Sequence, residues 1–95
     1  MILKTAETIK ELREGLNMTQ SDLARKLGVS RSCVNAWEMD ISTPSISKLV
    51  ELSQIFHTST DYLLGLSSSE YINIERFSHR EKELLYKLLD YYDNH

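Results

Sequence analysis

The chain has 95 residues, 41% of them hydrophobic, a content that suits one folded domain with a single core rather than a disordered segment. No apolar run approaches the roughly 20 residues that cross a bilayer, the opening MILKTAETIK lacks the regions of a secretion signal, and the single cysteine, Cys33, allows neither an internal disulfide nor a metal-ligand set, so a cytoplasmic protein with no metal, no cofactor and no membrane role is expected. The net charge of -3 argues against a polyanion partner, but it is uneven: residues 1–48 hold seven Lys or Arg against six Asp or Glu (+1), and residues 49–95 hold four against eight (-4).

In chain order, Thr5 to Glu14 places Ile9 and Leu12 on one helical face with Ala6 beside them, and Gly15 with Asn17 supplies a stop. Thr19 is the N-cap of a second helix with Asp22 three residues on; Leu23, Ala24 and Leu27 form its apolar face, and Gly28 ends it. Gly28, Val29 and Ser30 make a tight connection, and Ser30 caps the third helix. Two helices of about eight residues joined by a glycine-containing turn have helix-turn-helix geometry. Thr43, Pro44 and Ser45 open a fourth helix, with the proline suited to its start and Ile46, Leu49, Val50, Leu52, Ser53 and Phe56 at helical spacing. Ser59 or Thr60 caps a short fifth helix that Gly65 terminates. Ser67 to Ser69 reads as a loop, and YINIERF as a short strand or an extended connector. Ser78 with Glu81 forms a capping box, after which Leu84, Leu85, Leu88, Leu89 and Tyr92 make one apolar stripe. The fold class is all-α, with a domain over 1–66, a linker over 67–77 and a terminal helix over 78–95.

The third helix, SRSCVNAWE, holds one large hydrophobe. At about 100° per residue, Val34 and Trp37 point together, while Arg31, Ser32, Asn35 and Ala36 share the opposite arc. Every side chain there except Arg31 is small. A B-DNA major groove admits one helix whose outward side chains are short or able to bond base edges, with arginine favouring guanine and asparagine favouring adenine. Trp37 reads as core and Cys33 as a small filler at the face boundary.

These residues resemble the helix-turn-helix domains of the phage-repressor and Cro-like, or xenobiotic-response-element, family. The matching text is IKELREGLNMTQSDLARKLGVSRSCVNAWE followed by TPSISKLVELSQIFHTSTDYLLG, about residues 5–65, and its TQxxLAxxxGVSxxxVxxWE pattern is specific. The resemblance implies a five-helix, lambda-repressor-like DNA-binding domain with the third helix as its recognition element. It also implies base contacts from Arg31, Ser32, Asn35 and Ala36, and a phosphate anchor at Gln20 with Ser30 near the backbone. Arg13 and Glu38 match a family ion pair that orients the recognition helix. After that helix, Met39, Asp40 and Ile41 stand where the family often has glycine and basic residues. Ser42, Thr43 and Lys48 are the remaining candidates for backbone contact.

The terminal stripe from Leu84 to Tyr92 needs a cover: it either folds back on the chain's own domain or pairs with a second copy, and pairing is preferred because it fits palindromic DNA, whose half-sites lie about 34 Å apart. The reading is therefore a transcription regulator, a repressor binding an inverted-repeat operator as a homodimer. No catalytic constellation points to an enzyme. The rival reading is a protein-interaction module whose acidic terminal helix binds a regulatory protein partner such as a toxin or antirepressor.

Overall fold

The computed structural model describes residues 4–67 and 74–93, the last two of them by backbone alone. Six α-helices follow one another: α1 (Thr5–Gly15), α2 (Gln20–Leu27), α3 (Arg31–Glu38), α4 (Ile46–Ile55), α5 (Thr60–Leu64) and α6 (His79–Asp93). No strand occurs among the described residues. Residues 75–76 form a turn, so that part of YINIERF is not extended, and residues 71–73 lie outside the described part.

Local chemistry accounts for most of the boundaries. Thr19 Oγ1 accepts from the Asp22 amide at 3.0 Å while the Asp22 carboxylate accepts from the Thr19 amide at 2.8 Å, a capping box that satisfies two otherwise orphaned donors at the start of α2. Gly28 takes φ 69°, the left-handed conformation that lacks a Cβ penalty only in glycine, and the Val29 amide turns back to the Ala24 carbonyl at 3.0 Å. Ser30, Ser45 and Ser59 cap α3, α4 and α5, each accepting a backbone N–H from three residues on.

Two boundary residues behave differently from the sequence reading. Gly15 remains helical, and Asn17 makes the left-handed reversal at φ 57°. Pro44 stands one residue before the Ser45 cap rather than in the first turn of α4, and is buried.

Each of the first five helices contributes one side chain with no exposure: Ile9, Leu23, Val34, Leu52 and Leu63. Trp37, Leu27, Ala24 and Phe56 complete that core. Helix α3 packs against α1 and α2, α5 against α1 and α4, and α2 against α4. Helix α6 belongs to none of these pairs. On the approach to α6, the Phe77 ring meets the His57 ring edge-on at 4.7 Å beyond the end of α4. No helix of the described residues is long and apolar enough to cross a membrane.

Candidate nucleic-acid interface

The predicted division of α3 is present in three dimensions. Val34 and Trp37 are buried at 0% and 4% exposure, and Arg31, Ser32 and Asn35 are exposed on the other side. Ala36 is half-buried because the following loop closes over its end of the helix: the Ile41 and Ser42 amides both donate to the Ala36 carbonyl, at 2.9 and 3.3 Å. Asp40 supports that turn at φ 59°, and Ser42 and Thr43 emerge from it with exposed side chains. At the other end of α3 the Ser30 hydroxyl accepts the Cys33 amide at 3.2 Å and lies 3.1 Å from the Ser32 hydroxyl.

Behind this face stands a bidentate ion pair. Arg13 Nε donates to Glu38 Oε2 at 2.7 Å and Nη2 to Oε1 at 2.9 Å, while Nη1 donates to the Met18 carbonyl at 2.7 Å. The two side chains are 10% and 3% exposed, so one guanidinium joins α1, the α1–α2 connection and the end of α3. Burial pushes the Glu38 carboxyl up, but hydrogen bonds from Arg13 and Gln20, with the charges of Arg13 and Lys10, outweigh it and hold the group below the usual carboxylate value. The hydrogen bond to Glu38 likewise raises Arg13.

Gln20 completes the arrangement. Its Nε2 donates to Glu38 Oε1 at 3.2 Å and to Asn35 Oδ1 at 3.2 Å. The family resemblance implies a phosphate for Gln20 and a base for Asn35 separately; their contact, across 15 positions, has no local sequence signal. With Nε2 already bonded to Glu38 and Asn35, the side chain of Gln20 would have to leave one of them to donate to a phosphate. The backbone amides at the start of α2 remain for that purpose. Lys48 is also engaged: its Nζ donates to the Leu27 carbonyl at 2.8 Å, satisfying a C-terminal carbonyl of α2, and pairs with Glu51 at 2.8 Å. Reaching a phosphate would require Lys48 to leave both partners. Among the described residues, no group of three or more His, Cys, Asp or Glu gathers to hold a metal.

A small, polar helical face presented by a glycine turn and braced by a buried ion pair is the arrangement whose sequence the helix-turn-helix family model matches, over residues 9–63. The chain belongs to the Cro/C1-type helix-turn-helix family of DNA-binding transcriptional regulators. Among curated Cro/C1-type relatives, the uncharacterized HTH-type transcriptional regulator YobD of Bacillus subtilis (strain 168) is 31% identical over 75 residues, covering 79% of this chain and 67% of YobD. Repressor protein C2 of Salmonella phage P22 is 31% identical over 85 residues, covering 90% of this chain and 39% of the phage protein. The chain thus spans well under half of that repressor. Among solved structures, the P22 c2 repressor in complex with a synthetic operator superposes with a TM-score of 0.61 at 33% identity, covering 63% of this chain and 91% of that one. These relatives are regulators, not enzymes.

Proposed function

We propose that this chain is a cytoplasmic repressor that reads an inverted-repeat operator as a homodimer, one α3 in each of two successive major grooves. Arg31, Ser32, Asn35 and Ala36 face base edges; Ser30, Ser42, Thr43 and the backbone amides at the start of α2 face phosphates. The domain over 1–66 carries the readout, and residues 78–95 carry dimerisation. The observation that supports this reading best is the exposed, short and polar side of α3 opposite the buried Val34 and Trp37. The solved complex of the P22 c2 repressor with a synthetic operator supports it as well. With +1 charge over residues 1–48, each domain neutralises few phosphates, so affinity rests on two domains acting together.

Selection of bound duplexes from a random pool tests the proposal. A palindromic consensus is expected, bound with an affinity that falls steeply between about 50 and 200 mM salt. No enrichment at low salt would sink it. Replacing Arg31 with alanine is expected to cost about 1–3 kcal/mol on the selected duplex and to relax preference at one base pair per half-site. Equal loss on all sequences would instead make Arg31 a phosphate contact.

A further inference from the structure

Amide side chains read bases ambiguously, because an asparagine presents a donor and an acceptor and can turn either outward. At Asn35 the choice is made inside the protein. The Glu38 carboxylate, held by two bonds from Arg13, offers only acceptors, so the group of Gln20 that faces it at 3.2 Å must be the NH2. The same nitrogen lies 3.2 Å from Asn35, and a nitrogen with no lone pair to share can meet only the Asn35 carbonyl oxygen. The Asn35 oxygen is thereby turned toward Gln20, leaving its NH2 on the exposed side of α3.

We infer that Gln20 is a positioning residue that fixes the polarity of Asn35, making it a donor to base edges and directing it to guanine rather than adenine. This rests on the DNA-reading function proposed above. The bidentate asparagine–adenine pair needs Oδ1 and Nδ2 presented together, Oδ1 accepting from N6 and Nδ2 donating to N7. Guanine offers two acceptors, N7 and O6, and is satisfied by the NH2 alone. The relay runs Arg13, Glu38, Gln20, Asn35, so a buried pair at the C-terminal end of α3 sets a base preference one turn earlier on the same helix. None of the four side chains needs to move for this to operate.

The test compares duplexes selected from a random pool by the full chain, by Asn35→Ala and by Gln20→Ala, with Gln20→Met as a second variant that keeps side-chain length if the alanine form does not fold. Asn35→Ala identifies the base pair read by Asn35 as the one position whose preference disappears. At that position the natural sequence is expected to favour guanine over adenine by roughly five- to tenfold, the scale of one hydrogen bond made or left unmet. The Gln20 variants are expected to lose that preference and gain adenine there, with every other position unchanged. A merely structural role for Gln20 would lower binding equally at all positions. Adenine at the Asn35-dependent position in the natural profile, or an unchanged preference in both Gln20 variants, overturns the inference. Failure of the natural chain to enrich any duplex would instead remove the DNA-reading function itself.

Discussion

Glu38→Ala is expected to destabilise the domain by about 3–5 kcal/mol, because it leaves Arg13 as an uncompensated charge in a nearly closed site. The guanidinium would keep its bond to the Met18 carbonyl at 2.7 Å and a distant partner in Glu14 at 3.7 Å, neither of which replaces two short bonds to a carboxylate. Against a total stability of about 5–15 kcal/mol for a small domain, such a loss moves the denaturation midpoint far down. Replacing both partners, as Arg13→Met with Glu38→Leu, is expected to recover most of it, since a buried pair exchanged for apolar side chains of similar volume is close to neutral. Urea titration of the two single variants and the double variant measures this directly. If Glu38→Ala cost under about 1 kcal/mol, the pair would be behaving as a solvent-exposed one.

The same pair sets a direction in pH. The Glu38 carboxyl lies lower in the folded chain than its ordinary value, so folding favours the deprotonated form. Its contribution is therefore complete above the unfolded carboxylate pKa and is lost as pH falls through the lowered folded value. Asp22 and Glu81, lowered chiefly by backbone hydrogen bonds at Thr19 and Ser78, act in the same direction at two helix starts. Acid titration of stability should thus be steeper for the natural chain than for the Arg13→Met, Glu38→Leu double variant.

The parts of the fold written in short-range chemistry were legible in advance. Thr19 with Asp22, Gly28 and Ser30 each act on atoms within five residues, and they bound α2 and α3 where the sequence placed them. The faces of α3 were legible for the same reason, since one angular step per residue separates Val34 and Trp37 from Arg31 and Ser32. The contacts between elements were not. Gln20 meets Glu38 across 18 positions and Lys48 meets the Leu27 carbonyl across 21, and which hydrogen-bonding atom of an amide or ammonium is spent depends on where helix packing puts its neighbour. Asn17 illustrates the middle case: glycine and asparagine both tolerate the left-handed region, and whether the chain reverses at 15 or 17 depends on how far α1 is held by its contacts with α3 and α5.

Leu88→Glu combined with Leu84→Glu is expected to lower operator affinity by about 100-fold or more, while leaving binding to a single half-site unchanged. The five-helix body fills its core without α6, and Leu84, Leu88 and Leu89 remain 57%, 52% and 48% exposed. Burying the remaining half of each contributes about 1 kcal/mol. Three such side chains from each of two copies give about 6 kcal/mol gross, comparable to the rigid-body cost of association, about 4 kcal/mol or more. In the proposed dimer a pair of α6 helices would therefore join two chains only weakly in free solution. On the proposed inverted-repeat operator each half-site would hold one chain beside the other, and the second binding event would become intramolecular, a gain of about 10²–10⁴ without any new contact to DNA. That gain is what the glutamates remove, by placing two carboxylates in each half of the seam. Sedimentation across a concentration series, run beside titrations of full and half operators, separates the cases. Variants that stay dimeric, or that lose full-site and half-site binding equally, would show that α6 is not the seam between the two copies.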